Sequence, residues 1–199
     1  PRLIAFEVSS GKELWRIPRY TISWASPICV ETPQGWQLIL ADSTYVTSYD
    51  PADGSMLWKE DCLSGELGPS PVYAAGRVFA ANDYAQAVAI RADAKGLSEI
   101  LWTWDESLPD VASPAATAEF VILATSYAEV VCLNTEDGTV AWRHEFNDGF
   151  YSSPIVADDL VYLFDLSGVL HVFSAAGDFE EVARRPLGES CVSTPALVE

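Results

Sequence analysis

Cys132-Leu-Asn134-Thr-Glu-Asp-Gly138-Thr-Val-Ala-Trp142 is an eleven-residue step in which Asn134 and Gly138 bracket a tight turn and Trp142 lies in the strand that follows. Glycine takes the positive φ that a hairpin turn needs, and an Asn or Asp side chain hydrogen-bonds to the turn's own backbone. The same step stands at Ser48, Asp50, Gly54 and Trp58, and at Ala5, Glu7, Gly11 and Trp15. Two further units depart from it. In one, Ala89-Ile-Arg91 leads to Gly96 and Trp102 with extra residues between, and in the last, Val182 stands where a tryptophan is expected.

Trp15, Trp58, Trp102 and Trp142 follow one another at 43, 44 and 40 residues. In the opposite phase a Ser-Pro or Thr-Pro step returns at Pro27, Pro71, Pro114, Pro154 and Pro195, at intervals of 44, 43, 40 and 41. A period of this size means an array of one supersecondary unit.

Each unit reads as four short strands. The first follows the proline, as in Pro27-Ile-Cys-Val, Pro71-Val-Tyr-Ala and Pro154-Ile-Val-Ala; the second covers 36–41, 77–81, 120–124 and 160–164. The third covers 45–49, 85–90, 130–133 and 169–173, and the fourth holds the tryptophan. Two-residue turns at Ala75-Gly76 and Asp158-Asp159 join the first strand to the second. Four-stranded antiparallel sheets at this spacing are the signature of β-propeller blades, and regular helix has no place. The expected fold is all-β, with four complete blades from Pro27 to Pro195 and partial blades at both ends. Residues 2–7 and 13–18 supply the last two strands of an earlier blade, and Pro195 to Val198 the first strand of a later one. Residues 1–199 are therefore expected to form a single segment of a larger ring of seven or eight blades, with a strained five-blade closure as the alternative.

Eleven Lys and Arg against 29 Asp and Glu give a net charge of −18, with no basic block. Such a surface repels phosphate backbones and anionic headgroups, which excludes nucleic acid and a polybasic membrane contact and leaves solvated faces or a cationic partner. No apolar run reaches the roughly 20 residues of a spanning helix. Cys29, Cys62, Cys132 and Cys191 form no C-x-x-C pair and no zinc spacing; they read as small buried hydrophobes, with one disulfide left open.

The pattern Ala-x-Asp/Asn-x-x-x-Gly-x-x-x-Trp resembles the tryptophan-docking motif of pyrroloquinoline-quinone-type (PQQ-like) propeller repeats, and the resemblance covers essentially the whole chain. It implies that Trp15, Trp58, Trp102 and Trp142 dock each blade on its neighbour. Tyr49-Asp50-Pro-Ala-Asp-Gly54, the 89–96 stretch and Leu187-Gly-Glu189 ahead of Ser193-Thr-Pro195 are similar to bacterial secreted, BamB-like members of the group. That likeness implies a periplasmic or extracellular address, a longer parent chain and no assigned reaction.

Quinoprotein dehydrogenases share the repeat and are the enzyme alternative. The Cys-Cys pair that many of them carry is absent, and nothing beside Trp24 or Trp104 marks a quinone pocket, so no cofactor is expected. No Gly-x-Ser-x-Gly elbow, phosphate loop or paired histidine motif occurs, and His144 and His171 read as sheet residues. Acidic residues before Gly54 and Gly138 are explained by turn chemistry, and no catalytic or metal residue is assigned. One functional signal remains. Positions three before each repeat proline lie where the chain enters the innermost strand, and they read Trp24, Gly68, Val111, Tyr151 and Val192. Trp24 and Tyr151 offer flat surfaces with a polar edge, suited to a sugar, peptide or partner loop, with plugging of the channel by aromatic rings as the alternative. The expected function is a non-catalytic extracytoplasmic binding or scaffolding module for a protein or glycan partner, able to self-associate through open blade edges.

Overall fold

The computed structural model describes residues 2–94 and 97–197, and among them every regular element is a strand. Among the described residues no helix is long and apolar enough to cross a membrane. A two-stranded ribbon of β1 (Arg2–Phe6) and β2 (Glu13–Pro18) opens the chain. The first full blade is β3 (Ile28–Thr32), β4 (Gly35–Ala41), β5 (Tyr45–Tyr49) and β6 (Met56–Asp61). The second is β7 (Val72–Ala74), β8 (Arg77–Ala81), β9 (Ala87–Ala94) and β10 (Leu97–Trp104). The third is β11 (Ala115–Ala116), β12 (Phe120–Ala124), β13 (Glu129–Asn134) and β14 (Val140–Glu145), and the fourth β15 (Ile155–Ala157), β16 (Leu160–Phe164), β17 (Val169–Ser174) and β18 (Glu181–Pro186). Within each blade the strands pair antiparallel in chain order, which is the meander that connections of two to six residues allow.

Local chemistry sets these turns. Ala75 and Gly76, and Asp158 and Asp159, all take positive φ, the backbone of a two-residue hairpin whose twist matches its strands. In the longer turn between the third and fourth strands, the Gly54 amide donates to Asp50 O at 2.8 Å and the Gly138 amide to Asn134 O at 3.0 Å. Each turn is followed by a register shift, between Ser48 and Tyr49 and between Cys132 and Leu133. That bulge rotates the tryptophan of the fourth strand toward the neighbouring blade.

Alternation along the strands puts one face of each sheet against the next, so the core lies between blades. Ile39, Ala41 and Val46 of the first blade pack with Val78, Val88 and Ile90 of the second. Phe79, Ala87 and Ala89 of the second meet Val121, Leu123, Val131 and Leu133 of the third. Ile122, Val130 and Cys132 of the third meet Val161, Leu163 and Phe173 of the fourth. First strands touch first strands, β7 with β11 and β11 with β15, which makes them the hub.

Two expectations are revised. β9 runs from Ala87 to Ala94, longer than the 85–90 expected, because its hairpin carries extra residues; Gly96, expected as its turn glycine, lies outside the described residues. Pro195 to Leu197 form no strand. A first strand pairs with the second strand of its own sheet, and none follows among the described residues; Val198 itself lies outside them.

A candidate binding rim

Ser-Pro steps build the inner edge of this array. The amide of Ser26 donates to Ser70 Oγ, that of Ser70 to Ser113 Oγ, that of Ser113 to Ser153 Oγ and that of Ser153 to Thr194 Oγ1, each at 2.9 Å. Each hydroxyl thus satisfies the same backbone donor one blade earlier. Proline follows each of these residues, starting the first strand with a fixed φ and no amide of its own to pair.

Tryptophans secure the outer part. Trp15 Nε1 donates to Pro51 O and Trp102 Nε1 to Thr135 O, both at 3.0 Å, and Trp142 Nε1 donates to Ala176 O at 2.8 Å; each acceptor is on the next blade. The indole lies flat on the turn glycine: a Cβ built on Gly54 would stand 2.8 Å from the Trp15 ring, and one on Gly138 2.7 Å from that of Trp102. Trp58 differs. Its Nε1 donates to Gln37 Oε1 of its own blade at 2.8 Å, and Gln37 Nε2 reaches Ala92 O of the next at 3.4 Å. Here an extended strand occupies the place of the short turn, so the amide side chain relays the contact.

With the inner strands tied together and the blades docked, the chain presents recognition groups where the links between blades meet the loops between second and third strands. Asn82 Nδ2 holds the second link by donating to Ser64 O at 2.6 Å and Glu66 O at 3.1 Å, and the Trp24 amide donates to Leu67 O at 3.1 Å. Trp24 keeps 64% of its surface exposed and Tyr151 keeps 41%; Val111 and Val192 at the equivalent positions are exposed too. Trp24 and Tyr151 precede the first and fourth blades, and no cleft or hydrogen bond joins them among the described residues.

Trp24 instead shares a cleft of about 260 Å³ with Glu66, Gly68, Asp83, Tyr84 and Asp110. Burial, and then the charge of Asp110, push the Asp83 carboxyl above its ordinary range. Tyr84, in the loop after β8, is 63% exposed. Asp83, Tyr84 and Asp110 were not singled out by the motif reading; an aromatic residue directly after the polar break Asn82-Asp83 was the available signal.

The remaining chemical candidates are structural. His171 is 2% exposed, with Nε2 at 3.0 Å from Asp165 Oδ2 and Nδ1 at 3.0 Å from Glu181 Oε1, beneath the rings of Phe146 and Phe150. His144 stacks on Phe179 at 3.7 Å. All four cysteines are free thiols, and burial pushes those of Cys62 and Cys132 up to about 12, out of reach of thiolate chemistry. Among the described residues no three His, Cys, Asp or Glu are gathered closely enough to hold a metal ion.

A family model described as outer membrane protein assembly factor BamB matches residues 1–119 and 98–178. The outer membrane protein assembly factor BamB of Yersinia pestis is 25% identical over 170 residues, 84% of this chain and 40% of that protein. The chain therefore spans well under half the length of the curated relative it matches. Among solved structures, BamB from Moraxella catarrhalis aligns over 98% of this chain and 73% of its own at a TM-score of 0.61 and 15% identity. Sqt1 of Saccharomyces cerevisiae aligns over 95% and 56% at 0.76 and 12%. Both likenesses establish the β-propeller fold.

Proposed function

This chain belongs to the PQQ-like repeat family whose model is described as outer membrane protein assembly factor BamB, and on that premise we propose that it is a non-catalytic, protein-binding scaffold segment acting at the periplasmic side of the outer membrane. The array supplies rigidity and the rim supplies recognition, the usual division of labour in repeat scaffolds. The observation that carries this reading is the exposure of Trp24 and Tyr151 at equivalent positions of a rim whose blades are tied edge to edge by hydrogen bonds. Trp24 and Tyr151 each present a flat apolar surface with a polar edge, the kind of side chain a protein partner covers on binding.

Residues 1–199 are read as part of a larger ring of seven or eight blades, in keeping with the share of its relatives that the chain spans. The test compares the parent protein with its Trp24→Ala, Tyr151→Ala double variant as bait for envelope proteins. The reading expects one outer-membrane assembly protein to be recovered by the first and at least tenfold less by the second, with equal melting temperatures. Equal recovery would refute it, as would a quinone and calcium retained through desalting.

A further inference from the structure

Building on the rim-binding reading, we propose that the Trp24–Tyr84 cleft is the seat of an arginine side chain from the protein partner, its guanidinium stacked on the aromatic rings and paired with Asp83 and Asp110. Three independent features converge there. Trp24 and Tyr84 wall the cleft, and both are more than half exposed. Three carboxylates, Glu66, Asp83 and Asp110, line it, and no Lys or Arg does. Asp110 Oδ1 is buried and takes no hydrogen bond among the described residues. A buried carboxylate oxygen without a donor is costly, and a cation seated beside Asp110 in the cleft offsets its charge.

The cleft is built rather than incidental. Gly65 lies so close to the Tyr84 ring that a Cβ would stand 2.6 Å from it, and a Cβ on Gly68 would stand 2.8 Å from Asp110 O. Ser64 Oγ donates to Tyr84 O at 3.0 Å and fixes that loop from below. Asp110 lies near enough that its charge adds to burial in raising the Asp83 carboxyl, and a cation between the two relieves the repulsion. Guanidinium fits better than ammonium: it is planar, stacks on rings and donates to two carboxylates at once. The overall charge of −18 draws such a partner from a distance.

Three short peptides, acetyl-Gly-Arg-Gly-amide and its citrulline and lysine counterparts, are titrated against the protein while the indole N–H signals are followed by NMR, with Trp24→Phe identifying the Trp24 signal. The arginine peptide is expected to shift that signal saturably, with lysine at least threefold and citrulline at least tenfold weaker. Asp83→Asn with Asp110→Asn is expected to weaken arginine at least tenfold, and Tyr84→Leu, on an exposed side chain, severalfold. Equal shifts from citrulline or a neutral disaccharide, shifts at other indoles only, or an undiminished shift in both variants would overturn the proposal. If partner recovery depends on Trp24 and Tyr151 yet survives in the double Asn variant, the rim reading stands and the arginine seat falls.

Discussion

The amide of Ser70 donates to the hydroxyl of Ser113, forty-three residues ahead, at 2.9 Å. The bond is one link of a belt that ties each blade to the next beside the hub, and the side chain that accepts it comes from the repeated Ser-Pro step. Ser113→Ala leaves that amide without its partner and should cost about 1–2 kcal/mol. Ser113→Thr keeps the hydroxyl, as Thr194 does in the last link, and should cost well under half as much. Urea unfolding midpoints at constant m distinguish the two.

Gly11 and Gly138 hold the same place in equivalent turns, at φ of +68° and +72°. Nothing lies within 4 Å of a Cβ on Gly11, whereas one on Gly138 meets the Trp102 ring at 2.7 Å. Gly11→Ala should therefore show only the left-handed backbone cost of about 1–2 kcal/mol. Gly138→Ala adds the overpacking of a docked indole, a further 1–3 kcal/mol or so. Thermal unfolding of the two variants side by side checks the difference.

Asp165 and Glu181 make the fourth blade acid-sensitive. Burial alone would raise both carboxyls, but hydrogen bonds hold both below their ordinary range: from the His171 ring, the Val169 amide and the Ser167 hydroxyl for Asp165, and from His171 and Arg184 for Glu181. A carboxyl depressed in the folded state contributes stability above its unfolded pKa of about 4 and loses it as pH falls toward the folded value. Stability should decline below about pH 5, and less steeply in Asp165→Asn, in urea midpoints taken from pH 7 downward.

The four complete blades of the described residues, their strand order and the turn glycines were legible because period, alternation and turn chemistry are local. The Ser-Pro period was legible too, but its cause was not: the hydroxyl's partner lies some forty residues away, at a distance no local pattern encodes. The motif reading treats Trp58 like its counterparts, whereas Gln37 intervenes because β9 runs on where the others turn. Trp24 was visible as an odd residue in a repeated position. Asp83, Tyr84 and Asp110, which share its cleft with Glu66 and Gly68, come from a loop and a link brought side by side only by blade packing.

The central claim is that the rim, not the outer strands, meets a protein. A photoreactive phenylalanine derivative placed at Trp24 or Tyr151 in the parent protein, and at exposed Val140 or Val182 of the outer strands as controls, tests it by cross-linking in intact cells. The account predicts one discrete protein adduct from each rim position and none from the controls. Adducts from the outer strands alone, or none from the rim, would contradict it.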